Sequence, residues 1–322
     1  MAKLLLTGAT GFVGAALLRT LVQVGAYEVR ALTRSDAAKL ACPVEQVVIA
    51  GDWRTADFGR ALIGVSVLVH LAARVHVMQD AASDPIAAFR AVNVEATLNL
   101  AKQAAEAGVK RFVFISSVKV NGEGTQASVP FLADAAAAPQ DAYGISKMEA
   151  EQGLLEIAAQ TGLEVVIIRP PLVYGPGVKG NFAALMRALQ LGLPLPLRSV
   201  HNQRSLVGLE NLVDFIMTCT SHPKAVNQTF LVSDGADLST PDLIRKMAEI
   251  AGIPARLWPL PVWALHTGAR LLGKGAAVER LCGNLQVDIS KAESLLGWTP
   301  PMSVQECLKG AFAAKCLIKG IE

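Results

Sequence analysis

Short, near-continuous runs of Val, Ile and Leu recur through the first half of the chain, and helix-length stretches separate them. Lys3–Thr7, Glu28–Thr33, Gln46–Ile49, Ser66–Ala72, Arg111–Ser117 and Glu164–Pro170 read as strands. Phe12–Val24, Asp84–Ala107 and Asp141–Thr161 read as helices, the second ended by Gly108. A strand that is apolar at successive positions, rather than at alternate ones, has both faces covered. Helices between such strands act as crossovers and force the strands parallel. The pattern points to an α/β fold, a Rossmann-type doubly wound parallel sheet.

After Pro170 the alternation stops. Pro and Gly cluster in "RPPLVYGPG". Helices then dominate, over Phe182–Leu191, Leu209–Thr220, Thr240–Ala251 and Val304–Ile318, with one strand at "QTFLVSD". Residues 1–170 are expected to form a dinucleotide-binding domain, joined by a later segment returning near 205–235. Residues 171–322 are expected to form a smaller, mainly helical substrate lobe. At 322 residues and 52% apolar, the chain can bury a core of that size.

The turn after the first strand reads "LLLTGATGFVG". Gly8 permits the tight turn, Gly11 a close approach to a pyrophosphate, and Gly14 the packing of helix on sheet. The helix N-terminus then offers free N–H groups and a favourable dipole to the anion. Thr10, Phe12 and Val13 complete this expected cofactor loop. An NAD site usually sets a carboxylate at the end of the second strand, on the ribose 2′-hydroxyl. Here "VRALTRSD" sets Arg34 there, and a guanidinium suits a 2′-phosphate. NADP(H) is therefore favoured. NAD(H) is the alternative, with Asp36 bending back to the hydroxyls. Asp52 and Trp53 are expected near the adenine, and Leu71, Ala72 and Ala73 near the pyrophosphate and ribose.

"YGISK" sets Tyr143 and Lys147 four residues apart, on one face of a helix. A phenol of pKa about 10 is a poor acid–base group at neutral pH, and a neighbouring ammonium lowers that value. Tyr143 could then exchange a proton with a substrate alcohol, while Lys147 holds the nicotinamide ribose. Ser116 and Ser117 end a strand at the carboxyl edge of the sheet, where ligands bind in such folds. Pro170 ends the neighbouring strand and is expected at the cofactor.

With "HLAA", "NVEAT", "ISSVKVNG" and "RPPLVYGPG", these motifs extend over nearly the whole chain. The sequence resembles the extended short-chain dehydrogenase/reductases, within their sugar-nucleotide epimerase/dehydratase family. The resemblance implies Ser117, Tyr143 and Lys147 as the catalytic set, with Asn93 supporting the active-site backbone and lysine beside the cofactor. It implies that Asn181 in "GNFAAL" and Arg204 in "NQRSLV" hold the diphosphate of a UDP-sugar. Arg280 lies in the region of a later family arginine, at a different spacing. Arg74 and Lys119 are further substrate-side candidates, Lys119 pointing either to substrate or to solvent. The long 121–140 loop, rich in small residues, is expected to be a mobile lid. A homodimer through the 84–107 and 141–161 helices is a family-level expectation.

Three departures shape the expected reaction. Val118-Lys119 follows Ser117, where the family's dehydratases carry Asp-Glu, so no acid is present to eliminate water. Leu172 stands where the family has Asn, and Arg34 where it has a carboxylate. With the tail "RLCGNLQVDISKAESLLGW", these features look similar to bacterial O-antigen enzymes. The resemblance implies an oxidoreductase at C4 of a UDP-sugar. The leading reading is a 4-keto reductase of UDP-2-acetamido-2,6-dideoxy-4-keto-hexose in surface polysaccharide synthesis. The alternative is a UDP-glucose or UDP-N-acetylglucosamine 4-epimerase with tightly held NAD. Flavonoid-like or steroid substrates stay open, since fold does not fix substrate.

Other partners are disfavoured. The net charge of +3 carries no basic block, which argues against nucleic acid. The histidines and cysteines show no metal-ligand spacing. Five cysteines, an odd number with no CxxC pair, fit reduced thiols in the cytoplasm. "MAKLLL" lacks the features of a signal peptide, and no stretch reaches the roughly 20 apolar residues of a membrane span. Leu257–Leu272, "LWPLPVWALHTGARLL", is expected to be a core or pocket-wall helix rather than a contact for a membrane or partner.

Overall fold

The computed structural model describes residues 1–75, 84–271, 273 and 275–319, without the side chains of 276, 277 and 314–319. β1 (Ala2–Thr7) enters α1 (Phe12–Val24), which stops at Gly25 in the left-handed conformation. β2 (Tyr27–Thr33), β3 (Glu45–Val48), the single turn α2 (Gly59–Leu62) and β4 (Val65–His70) follow. α3 (Pro85–Arg90), a π-helical turn (Ala91–Glu95) and α4 (Ala96–Glu106) replace the single regular helix expected over 84–107. β5 (Arg111–Ile115), α5 (Ala142–Thr161) and β6 (Glu164–Arg169) complete the alternation. The Asp141 side chain caps α5 by accepting from the Gly144 N–H, and Gly162 ends it.

The rest of the chain carries β7 (Leu172–Tyr174), α6 (Gly180–Gln190), β8 (Leu206–Gly208), α7 (Leu209–Ser221) and β9 (Gln228–Leu231). α8 (Thr240–Ala251), α9 (Val262–Leu271), α10 (Gly275–Cys282), α11 (Ser290–Leu296) and α12 (Val304–Lys319) end it. Among the described residues, seven strands form a parallel sheet in the order β3-β2-β1-β4-β5-β6-β9. β7 and β8 pair in a separate parallel ribbon. At three residues each they are too short to show a period, and the sequence reading has no strand there.

Both faces of the large sheet are covered, which explains the continuous apolar runs. Leu4 and Leu6 of β1 join one buried cluster with α1 and α7, while Leu5 joins another with α4 and α5. β5 divides in the same way, with Val113 and Ile115 on one side and Phe112 and Phe114 on the other. Each such leucine contributes about 1.5–3 kcal/mol by burial. A third cluster forms outside the sheet, where Tyr174, Phe182 and Met186 meet Ile244, Leu308 and Phe312.

The 121–140 loop, expected as a mobile lid, is tied to the 284–288 segment. Its Thr125 and Phe131 N–H groups donate to the carbonyls of Asn284 (3.0 Å) and Gln286 (2.8 Å), and Asp288 N–H donates back to Phe131 (2.9 Å). The Leu257–Leu272 segment is not a buried wall, and its Leu272 lies outside the described residues. Leu257, Val262 and Leu265 rest partly on the third cluster, but Trp258, Trp263 and Leu271 face outward. Pro259 and Pro261 precede the helix, which starts at Val262. Cys42, Cys219, Cys282 and Cys307 are free thiols, and the side chain of Cys316 falls outside the described residues.

Candidate active site

The carboxyl ends of β1, β2, β4, β5 and β6 open onto a cleft of about 920 Å³. The glycine turn forms one wall. Gly8 has φ +70°, and a Cβ added there would lie 2.7 Å from the Ala72 nitrogen. A Cβ on Gly14 would lie 2.1 Å from the Gly8 carbonyl oxygen. Side chains are therefore excluded where strand, helix and the Leu71–Ala72 segment converge. Gly11 caps α1 without a side-chain hydrogen bond, and the first turn of α1 has no acidic residue. The helix N-terminus thus faces the cleft with N–H groups and no competing carboxylate, which fits a dinucleotide pyrophosphate.

Of the expected cofactor residues, Gly8, Thr10, Gly11, Phe12, Val13, Gly14, Arg34, Asp52, Trp53, Leu71, Ala72, Ala73, Ser116, Tyr143, Lys147 and Pro170 line this cleft. Asn93 does not. It is buried at the π-helical turn, accepting from the Arg74 N–H (2.8 Å) and donating to the Arg74 carbonyl and the Ser146 hydroxyl (both 3.0 Å). It pins the segment after β4 to α5, one residue from Lys147. Asp52 is held by Arg54, whose Nη2 lies 2.5 Å away, so its carboxylate already has a cationic partner. Thr33, Ser35, Arg54 and His70 also line the cleft, and the sequence reading omits them as site residues. The signal for His70 is its place at the head of "HLAA".

Ser117, Tyr143 and Lys147 meet at the far end of the cleft. Lys147 is 2% exposed, donates to the Ile115 carbonyl (2.8 Å), and lies 4.3 Å from the Phe114 ring centroid. Burial brings its pKa down to about 7, while the charge of Glu151 opposes the fall. Burial pushes Tyr143 up to about 12, the Asp141 carboxylate adds to this, and the Ser117 hydroxyl opposes it. The expected lowering of Tyr143 by Lys147 is thus not seen, because Lys147 is turned to the Ile115 carbonyl. His70 lies between Thr7 (Nδ1 to Oγ1, 2.8 Å) and Thr97 (Nε2 to Oγ1, 3.0 Å). Burial, then the charge of Lys147, brings its pKa down to about 3, so the ring is neutral at physiological pH.

Behind these groups lies a buried ion pair. Arg169 on β6 binds Glu151 through Nε (3.0 Å) and Nη2 (2.6 Å), and Ser116 donates to the same carboxylate. Arg169 also donates to Asn121 Oδ1 (3.1 Å), tying α5 to the 121–140 loop. Tyr143, Lys147 and Glu151 repeat at i, i+4 and i+8, so one helix face carries the phenol, the amine and the buried acid.

Of the expected substrate residues, Ser117 lines the cleft, and Arg74, Lys119, Asn181, Arg204 and Arg280 do not. Lys119 pairs with Asp141 and with Glu123 (2.9 Å), bracing the cap of α5. Burial alone would lower its pKa, and the two carboxylates outweigh that and raise it. The Arg74 guanidinium lies 5.5 Å from the Phe89 ring, itself edge-on to Tyr143. Asn181 is exposed in the first turn of α6. Arg204 donates to the Gly283 carbonyl (2.9 Å), and Arg280 is exposed on α10.

The arrangement can seat a dinucleotide against a phenol and a hydroxyl that exchange protons, and among the described residues no acidic, histidine and cysteine cluster suited to a metal occurs. The model of the NAD dependent epimerase/dehydratase family matches residues 4–233. A protein of Vibrio cholerae named UDP-glucose 4-epimerase is 49% identical over 309 residues, covering 95% of this chain and 93% of its own. The fold matches UDP-glucuronic acid 4-epimerase from Bacillus cereus in complex with NAD, with a TM-score of 0.78 and 20% identity over 98% of this chain and 99% of that one. It also matches MoeE5 in complex with UDP-glucuronic acid and NAD, with a TM-score of 0.78 and 25% identity over 98% and 100%.

Proposed function

Because this chain belongs to the NAD dependent epimerase/dehydratase family, we propose that it is a UDP-hexose 4-epimerase acting with NAD(H). This reverses the order of the two readings drawn from the sequence. One observation supports it most: Ser117, Tyr143 and Lys147 share a cleft with the glycine cradle, in a chain 49% identical to a protein named for that reaction. When bound, the dinucleotide would supply hydride exchange with C4 of the sugar. Gly8–Gly14 would hold its pyrophosphate, and Leu71–Ala73 and Pro170 its riboses.

Tyr143 exchanges the proton of the C4 oxygen, and the Ser117 hydroxyl orients that oxygen. With its pKa near 12, Tyr143 is protonated at neutral pH and ready to donate. To accept a proton it needs positive charge beside the ring, which Lys147, one helical turn on, would supply when protonated and turned from the Ile115 carbonyl. Asn93 holds the backbone of Arg74 in place for both half-reactions. Asn181, Arg204 and Arg280 are the proposed diphosphate contacts, and the enzyme is proposed to be a cytoplasmic homodimer.

A second reading rests on Arg34. It is exposed at the end of β2, lines the cleft, and no carboxylate stands in its place. A 2′-phosphate would pair with it, and an NADPH-dependent 4-keto reductase of a UDP-2-acetamido-2,6-dideoxy sugar would follow. One experiment separates the two. Denature the purified protein, identify any released dinucleotide, and follow UDP-glucose by proton NMR without added cofactor. Released NAD and appearance of UDP-galactose support the epimerase. An empty protein that consumes NADPH with a 4-keto sugar, and loses that preference as Arg34→Ala, replaces it with the reductase.

A further inference from the structure

The outward face around α9 is not used by the proposed reaction. Trp258, Trp263 and Leu271 are 64%, 73% and 84% exposed. Leu191 and Leu193 extend the same face. The Leu195 N–H donates to the Arg256 carbonyl (2.8 Å), Trp258 N–H to Leu195 (2.9 Å), and Arg198 N–H to Trp258 (3.1 Å), so the two segments run side by side. Tryptophan is rarely left in water in this way, and contiguous exposed apolar surface marks an interaction site.

The charge on this face is mainly positive. The stretches 191–198 and 256–270, which supply its apolar side chains, hold Arg198, Arg256 and Arg270 and no Asp or Glu, and the exposed Glu249 and Glu279 lie beyond their ends. Arg198, Arg256 and Arg270 are all exposed. Elsewhere acids and bases mix, and the whole chain is only +3. Exposed indole rings ringed by cations match the interface of an anionic bilayer, where indoles sit at headgroup depth and Lys and Arg meet lipid phosphates. A second copy of this chain would bring like charge against like charge. Among the described residues no helix is long and apolar enough to cross a membrane.

We infer that the Trp258–Trp263 face docks this enzyme onto an anionic lipid surface, leaving the cleft outside the bilayer. The test uses the full chain and vesicles of equal parts phosphatidylglycerol and phosphatidylcholine. Expected results are co-sedimentation with these vesicles, binding at least about tenfold weaker to phosphatidylcholine alone, and loss of binding in about 0.5 M salt. Tryptophan emission should shift to the blue on binding and be quenched by bromine-labelled acyl chains. Trp53 is half-buried and Trp298 buried, so Trp258 and Trp263 dominate that signal. Arg256→Ala and Arg270→Ala should each weaken binding about fivefold. Trp258→Ser/Trp263→Ser should weaken it about tenfold or more, with an unchanged melting temperature. The inference is overturned if the protein ignores phosphatidylglycerol vesicles, or if the variants bind as the wild type does. A lipid-free dimer that shifts the emission to the blue would overturn it too, and would assign the face to a second copy.

Discussion

Around the cleft, the buried charges are matched. Glu151 holds Arg169, Lys147 donates to a carbonyl, and His70 lies neutral between two threonines. Around Trp258 and Trp263 the charges are exposed, mainly positive, and set among exposed apolar side chains. A buried charge must be satisfied where it stands, so each cleft residue fixes its neighbours. An exposed charge is satisfied by water, so the outer face is free to be composed for a partner. Substitutions should therefore propagate in the first region and stay local in the second.

The largest effect is expected from Tyr143→Phe, which removes the exchanged proton and leaves the ring packed on Phe89. The rate of UDP-hexose interconversion should fall by about 10²–10⁴ with an unchanged fold, as read by steady-state kinetics and circular dichroism. Glu151→Gln should come next. It leaves the Arg169 charge buried without its partner, and stability measured by urea unfolding should drop by about 3–5 kcal/mol. Arg245→Ala, which breaks an exposed pair with Asp242, should cost less than about 1 kcal/mol and calibrates the contrast. Gly14→Ala forces a methyl against the Gly8 carbonyl. It should destabilise by about 1–3 kcal/mol or more and weaken dinucleotide binding in a titration.

A smaller and more diagnostic effect concerns Lys147. Its folded pKa of about 7 lies below the ordinary lysine value of 10.5, so between those values the unfolded chain binds the extra proton. Stability from this group therefore rises as pH increases from 7 toward 10.5, by up to about 1.4 kcal/mol per pH unit. Urea melts across that range should show a shallower rise in Lys147→Met than in the wild type. The smallest effect is expected at Trp258→Ser, whose stability should stay within about 0.5 kcal/mol of the wild type.

The same contrast governs what could be read from the sequence. Strands of the main sheet, the glycine turn and the Tyr143–Lys147 pair are local patterns, and the structure holds them where the spacing placed them. Asn93 was expected from the resemblance to support the active-site backbone and lysine, and only the π-helical turn shows that it does so through Arg74 and Ser146. Glu151 and Arg169 are 18 residues apart on different elements, and only the packing of α5 on β6 joins them. Lys119 left two directions open until Asp141 and Glu123 were seen to take it. Trp258 and Trp263 read as core or pocket wall because apolar residues usually are, and nothing local records which side chains the third cluster takes.

The π-helical turn also sets a phase. A turn of this kind holds one residue more than a regular turn, and each residue advances a helix by about 100°. α3 is therefore rotated against α4 by about that angle relative to an uninterrupted helix. The rotation is what presents Phe89 to the Tyr143 ring and Arg90 to Glu149, 2.5 Å away. Forcing 91–95 into a regular helix without removing a residue would swing both contacts away from α5, whereas removing one residue as the turn becomes regular would keep the phase. The alignment of the catalytic helix is thus stored in a residue count rather than in any one side chain.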